Sequence, residues 1–426
     1  MSATAVLNDE VLRLVAEIGQ ADLVVGIPSF NNAGTIGHVA RAAAAGLAKY
    51  FPDRVAVLVN SDGGSTDGTP DVVATTEVGS ARTLLLRHGT RPVHKVVTAY
   101  QGIPGKGSAF RTIFEIARRL NAHACAVVDS DLRSVTPEWF ELLLGPVLHE
   151  GYEFVAPLYS RHKYDGTITN AIVYPLVRSL YGKRIRQPIG GDFGMSGRLA
   201  AHYADQDAWD TDVARFGIDI WMTTTAIVGG FKICQAYLGA KIHDAKDPGA
   251  HLANMLVQVT GSLFGQIEAQ EAYWSKIAGS EAVPDFGFRY QVGLEPVNVN
   301  LERMRNAFRN GVKDFGPLYA EFLDPGTRAA LSALATAPDQ AFDLPADLWV
   351  RVVYEYVVAY HTRRLMPDHL LRTLTPLYLG RTASWVREAA DYSADDVENA
   401  LDDLSRRFEE MKPAFVRAWQ EGRFSS

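Results

Sequence analysis

Residues 124–132 read ACAVVDSDL. An apolar run of strand length stops at two aspartates, Asp129 and Asp131, with Ser130 between them. Side chains at i and i+2 of an extended segment leave the same face. The two carboxylates therefore converge where the strand ends, and oxygen ligands placed this way suit Mg2+ or Mn2+. A solvated turn uses the same residue types. The motif gains weight from its position, because ligands of open α/β sheets bind beyond the carboxyl ends of the strands.

The flanking sequence supplies that sheet. LVVGIPS (23–29), RVAVLVN (54–60), RTLLLRH (82–88), ACAVVDS and YEFVAPLY (152–159) read as strands. TIGHVARAAAAGLAKYF (35–51), TPDVVATTEV (69–78), GSAFRTIFEIARRL (107–120) and TPEWFELLLGPVLHE (136–150) read as helices, the last with Thr136 as N-cap and Pro137 opening it. Apolar strands alternating with helices predict an α/β domain with a mostly parallel central sheet covered on both faces. Between about 165 and 270 the pattern is mixed: a helical TITNAIVYPLVRSLYG, a glycine-rich PIGGDFG, a helix near 217–228 and a strand FKICQAY (231–237). After about 275 helical periodicity dominates. The expected division is residues 1–275 as the α/β domain and 276–426 as a helical C-terminal domain, whose length suggests a homo-oligomer.

Composition excludes several classes. Lys and Arg number 42 against 49 Asp and Glu, a net charge of −7, so no basic excess exists to displace counterions from a nucleic acid. Two cysteines cannot build a disulfide framework, and a cytoplasmic, reducing setting is expected. The opening MSATAVLNDEVLRLVAEIGQ has neither the basic nor the apolar region of a signal peptide, and no apolar run reaches transmembrane length.

Three further motifs fall on the same predicted sheet edge. In IPSFNNAGT (27–35), Pro28 is expected to end the strand, and Asn31 offers an amide to a ligand. In NSDGGSTDGT (60–69), Asp62 is placed to accept from a base N–H or a ribose hydroxyl, beside glycines that permit positive φ. In GIPGKGSAF (102–110), Gly105, Lys106 and Gly107 precede a helix, which suits a phosphate; the spacing is not that of a P-loop.

Taken in order, these motifs resemble the GT-A glycosyltransferases, with their Rossmann-like nucleotide-sugar domain. The set PGKG, DSDL, Arg161 with Thr169, QPIGGDF, FGIDIW and KIH is similar to the mannosylglycerate synthases and to the glucosyl-3-phosphoglycerate and glucosylglycerate synthases, over residues 22–265. The resemblance implies a retaining, metal-dependent transfer of hexose from GDP-mannose or UDP-glucose to a small hydroxy acid such as D-glycerate, in compatible-solute synthesis. It implies a nucleotide site with Pro28, Asn31, Asp62 and Ser130, and Lys106 on the diphosphate or sugar. Asp129, Asp131 and His243 would hold the metal, with Asp131 as the direct ligand. Gly190, Gly191 and Asp192 would line the sugar pocket, and Asp219 would sit at the reacting centre. Arg161 and Thr169 would take the acceptor carboxylate. Two positions depart from the pattern. Lys246 stands where mannosylglycerate-type enzymes carry Tyr, and Thr167 where phosphoglycerate-type enzymes carry Arg; the second favours an unphosphorylated acceptor. An inverting family-2-like enzyme acting on a polysaccharide or lipid-linked acceptor is the alternative, with Asp192 or Asp219 as base. A nucleotidyltransferase is disfavoured, since PSFNNAGT carries no positive charge.

Overall fold

The computed structural model describes residues 6–76, 93–100, 103–242, 253–290 and 293–424. In chain order the strands among them are β1 (Leu23–Ser29), β2 (Ala56–Asp62), β3 (Val93–Ala99), β4 (Ala124–Val127), β5 (Phe154–Ser160), β6 (Lys183–Arg184), β7 (Phe193–Ser196), β8 (Ile233–Ala240), β9 (Glu281–Ala282) and β10 (Asp285–Phe286). Eight form one sheet, ordered β10-β8-β5-β7-β4-β1-β2-β3. Every neighbouring pair is parallel except at β7, which runs antiparallel to both β4 and β5. The expected mostly parallel sheet is present, with one reversed strand near its middle.

β1 is buried along its whole length because different helices cover its two faces. Leu23, Val25 and Ile27 share a core with Val39 and Leu47 of the helix Ile36–Tyr50 and with Phe140 and Leu143 of the helix Pro137–Glu150. On the opposite face Gly26 admits the helix Lys106–Arg119 so closely that a Cβ would stand 2.4 Å from Ile113. Double cover is what makes such a strand an apolar run rather than an alternation.

Pro28 does not end β1: the strand continues through it, pairing Pro28 with Ser61 and Ser29 with Asp62. On the other flank β4 pairs only as far as Gly26, so proline sits where one side of the strand is open and a missing N–H is tolerated. The strand expected at 82–88 lies outside the described residues; the described neighbour of β2 is β3, at 93–99.

The chain forms two compact units, and they do not divide at residue 275. The sheet unit comprises Met1–Ser160, Gln187–Asp244 and Val283–Leu294; the helical unit comprises Arg161–Arg186, Ala245–Ala282 and Glu295–Ser426. Segment 283–294 returns to the sheet because β10 pairs with β8 and Phe286 packs on Tyr152 at 5.3 Å. Segment 161–186 joins the helices because Arg178, 2% exposed, finds its counter-ions Asp402 and Glu409 there. Within the helical unit Tyr354 stacks on Phe415 at 4.5 Å. Ser393 and Asp396 close a capping box on the helix Ala394–Glu421. No helix among the described residues is long and apolar enough to cross a membrane. Both cysteines are buried free thiols, and burial pushes Cys125 up to about 12.

Lys412, on the helix Ala394–Glu421, is buried in the helical unit and donates to the carbonyls of Ser179 (3.0 Å), Trp274 (3.0 Å) and Ile277 (2.7 Å). Burial pulls its ammonium down to about 8, against an opposing push from Glu409. Between that value and the ordinary lysine range the unfolded chain holds the proton and the folded chain does not, so stability rises with pH. The unfolding free energy of the wild type is therefore expected to gain on that of Lys412→Met as pH rises from about 8 to about 10.5. A flat difference in urea titrations over that window would show an ordinary lysine.

Candidate active site

The reversed strand assembles the site. β4 and β8 end at the sheet edge where β7 begins. Val127 pairs with Phe193, and just beyond this pair the backbone N–H of Asp129 donates to Asp192 Oδ1 at 2.8 Å. Lys241, the residue after β8, donates to Asp129 Oδ2 (2.8 Å), Asp192 Oδ2 (2.8 Å) and the carbonyl of Gly190 (2.7 Å). The Tyr159 hydroxyl, near the end of β5, also donates to Asp192 Oδ2.

Lys106 approaches from the other side. It opens the helix Lys106–Arg119 and sets its ammonium 2.8 Å from Asp129 Oδ1. It donates to Asp219 Oδ2 at 3.3 Å and stands 3.2 Å from Oδ1, off the hydrogen-bond line. Asp219 Oδ1 is thus a buried acceptor without a hydrogen bond among the described residues. Asp219 belongs to the first turn of the helix Ile218–Val228, where a negative charge meets the positive end of the helix dipole. The glycines around Lys106 serve this approach rather than loop flexibility. Gly107 N–H donates to Arg215 at 3.2 Å, and a Cβ on Gly107 would stand 1.8 Å from the Val213 carbonyl. Only bare backbone lets residues 213–215, and Asp219 behind them, lie against this helix end.

The electrostatics follow from burial and pairing. Burial alone would raise the Asp129 carboxyl, but the ammonium groups of Lys106 and Lys241 outweigh it and hold Asp129 far below the usual carboxylate range. Burial would lower Lys106, and the charges of Asp129 and Asp219 overcome it. Asp192 and Asp219 are raised, first by burial and then by the nearby Asp129 charge, with the lysines opposing. One firmly ionised carboxylate therefore lies between two ammonium groups, flanked by two carboxyls that are harder to ionise.

The adjoining loops are laced to one another. Asp62 accepts four hydrogen bonds, from Ser29 Oγ (2.8 Å), Ser65 Oγ (2.6 Å), Gly64 N–H (2.9 Å) and Ser65 N–H (2.7 Å). That fills the acceptor capacity of a carboxylate, so Asp62 folds its own loop here instead of facing a base or ribose. Asn31 Oδ1 accepts from Thr66 N–H at 3.0 Å. Ser130 Oγ donates to Asn32 Oδ1 at 2.8 Å, and Thr35 Oγ1 donates to the Ser130 carbonyl at 2.7 Å. Asn31 and Ser130 thus tie the first, second and fourth strand-end loops together, and Pro28 is internal to β1.

The structure brings together Lys106, Asp129, Gly190, Gly191, Asp192 and Asp219. Asp131 is half-buried and makes no hydrogen bond or ion pair among the described residues. His243 and Lys246 lie outside the described residues. Of the expected metal ligands, Asp131 alone is both described and open, since both oxygens of Asp129 face ammonium groups. No group of three metal-ligating side chains occurs among the described residues. Arg161 and Thr169 belong to the helical unit, where Arg161 donates to Asp165 at 3.2 Å and Thr169 is buried. Two participants escaped sequence reading, Tyr159 and Lys241. The strand-end rule applied to β8 as well as to β4 points to Lys241.

No protein-family model matches the chain, and no curated protein matches it. Among solved structures it is similar to glucosyl-3-phosphoglycerate synthase from Mycobacterium tuberculosis in complex with Mg2+ and uridine-diphosphate, at 21% identity and TM-score 0.41, covering 59% of this chain and 83% of that one. The same enzyme in complex with phosphoglyceric acid gives 20% identity, TM-score 0.41 and coverage of 59% and 83%. A further mycobacterial protein gives 22% identity, TM-score 0.41 and coverage of 60% and 77%.

Gly191 tests how rigid the cluster is. Its φ is +90°, and a Cβ would stand 2.2 Å from Asp129 Oδ2 and 2.9 Å from Lys241 Nζ. Gly64 has a similar φ of +85° with nothing within 4 Å. Gly191→Ala is expected to destabilise the fold by about 1–3 kcal/mol more than Gly64→Ala, the scale of overpacking in a tight interior. Equal losses in urea titrations would mean that the carboxylate and ammonium step aside.

Proposed function

We propose that the chain is a metal-dependent glycosyltransferase that moves a hexose from a nucleoside-diphosphate sugar to a small hydroxy acid with retention of configuration. The observation that carries the reading is the end of β4. There Asp129 is kept ionised between Lys106 and Lys241, and Asp131, two residues on, has no partner among the described residues. The order of motifs that resembles the mannosylglycerate-type synthases supplies the rest.

Asp131 and His243 are the residues that would hold a divalent cation, Mg2+ or Mn2+. Bound there, it would offset the charge that gathers on the departing nucleoside diphosphate. Lys106, at the first turn of its helix, exchanges a carboxylate for a phosphate oxygen. The bond between the anomeric carbon and the diphosphate oxygen breaks, and its electron pair leaves with the diphosphate. The acceptor hydroxyl oxygen bonds to the anomeric carbon on the face that opens, and its proton passes to a phosphate oxygen. Asp219 Oδ1, buried and without a hydrogen bond among the described residues, accepts from a sugar hydroxyl and favours positive charge beside it. Asp192 is committed to Tyr159, Lys241 and the Asp129 N–H. It therefore holds the site in shape and is poorly placed to serve as the base that the inverting alternative needs.

Arg161 and Thr169 take the acceptor carboxylate in this reading, for which a planar guanidinium is suited. Thr167 stands where phosphoglycerate-type enzymes carry Arg, and its hydroxyl is hydrogen-bonded to that of Tyr378. Free glycerate or a similar hydroxy acid is accordingly the acceptor. A cytoplasmic setting and self-association belong to the same proposal.

A screen of GDP-mannose and UDP-glucose against glycerate, 3-phosphoglycerate and other hydroxy acids, with and without Mg2+ or Mn2+, tests it. The expected product appears only with metal and keeps the donor's anomeric configuration by NMR; an inverted product would leave the inverting alternative in place. Asp131→Ala is expected to lower kcat/KM by about 1,000-fold, the scale of a lost charge-stabilising group. Asp219→Ala is expected to lower it only about 10-fold, as for a group that assists without accepting the proton. A reversed order of the two losses would reject this division of roles.

A further inference from the structure

We infer that Lys241 is a positioning residue that fixes Asp129 permanently, leaving Lys106 as the ammonium that exchanges when a ligand arrives. This rests on the functional reading above and assigns the two lysines opposite duties within it. An ammonium has three N–H donors. Those of Lys241 meet three acceptors on two separate segments: Asp129 after β4, and Gly190 and Asp192 before β7. Its side chain is 5% exposed and lies 5.2 Å from the centre of the Tyr159 ring. None of these partners is loose. Asp192, fully buried, is also held by Tyr159 and by the Asp129 N–H. Gly191, between the other two, has no room for a Cβ beside Asp129 Oδ2 and Lys241 Nζ.

Lys106 is held differently. Its side chain is 14% exposed, its polar contacts are two carboxylates, one of them at 3.2–3.3 Å, and it too lies 5.2 Å from an aromatic ring centre, that of Phe110 on its own helix. When it leaves Asp129 Oδ1, Lys241 still neutralises the other oxygen, and Asp219 alone gives up its ammonium partner. Lys241 cannot leave without releasing three acceptors on two segments at once: Asp129 Oδ2, Asp192 Oδ2 and the Gly190 carbonyl. The orientation of Asp129, and the direction in which the chain runs on to Asp131, therefore depend on Lys241 whether or not a donor is bound. Lys241 touches no reacting atom in this scheme and acts through Asp129.

The test compares wild type, Lys241→Arg and Lys241→Met. Folding is read by circular dichroism and thermal midpoint, binding by calorimetry with UDP and with GDP in the presence of Mn2+, and turnover by donor and acceptor kinetics. Lys241→Arg keeps the charge but replaces a point donor by a planar fork. It is expected to fold with a midpoint lowered by crowding, to raise the diphosphate Kd about 10-fold and lower kcat about 10-fold, and to leave the acceptor KM unchanged. Lys241→Met, if it folds, is expected to lower kcat by about 100-fold; if it does not, Lys241→Arg decides the matter. A role confined to stability would move the midpoint and leave Kd and kcat at wild-type values in the folded variants, and that result overturns the inference alone. Failure of the wild type to bind either diphosphate with Mn2+ removes the functional reading, and the inference with it.

Discussion

A carboxylate at the end of a buried strand has to be neutralised by the chain itself, and much of the sheet unit answers to that requirement at Asp129. Removing one partner from a buried ion pair typically costs about 3–5 kcal/mol, so the groups that meet Asp129 constrain the segments that carry them. Lys106 ties down the amino end of the helix Lys106–Arg119, and Lys241 ties down the end of β8. Asp192 binds the Asp129 N–H and so fixes the entry to β7. The reversed strand is then more than a topological irregularity. A parallel β7 would present its carboxyl end at this edge, and residues 190–192 would lie at the far end of the sheet.

The sheet and the residues of its edge were legible in the sequence for a simple reason. Strands covered on both faces read as apolar runs, and the run ACAVV cannot continue through Asp129 and Asp131. Pairing direction was not legible. PIGGDFG looks like a loop, and nothing in its composition announces that FGMS is an antiparallel strand between β4 and β5. Lys241 was hidden by its neighbourhood: in AKIH the histidine attracts notice as a metal ligand, while a lysine at a strand end passes for a solvated charge. The division of the chain was hidden too, because a helical period does not say which core a helix joins. Arg178 settles that for segment 161–186 through partners more than 200 residues away.

Residue chemistry alone also credited ligands with atoms that the fold uses. Asp62 follows a strand and precedes glycines, a setting equally right for a ribose hydroxyl and for a turn. With four donors from its own loop and from Ser29, the turn has it. The glycines of PGKG suggested a phosphate cradle, yet their lack of side chains is spent on the backbone of residues 213–215. In both places the motif lies at the carboxyl edge of the sheet. The named atoms shape the edge; among the described residues Asp131 is left without a partner, and the buried Asp219 Oδ1 without a hydrogen bond.

Those uncommitted oxygens bear on why the proposed reaction would need a cation. Asp129, Asp131, Asp192 and Asp219 set four carboxyls, two of them hard to ionise, against the two ammonium groups of Lys106 and Lys241. A diphosphate approaching such an edge finds no net positive charge in these six groups, in a setting where water screens poorly. Neither lysine is idle, since each is already paired with two carboxylates. Turning Lys106 toward a phosphate oxygen merely transfers its charge from Asp219 and Asp129 to the ligand, and leaves the total unchanged. Positive charge beyond these groups would therefore favour productive binding, and Asp131 is the carboxylate of this edge without a partner among the described residues.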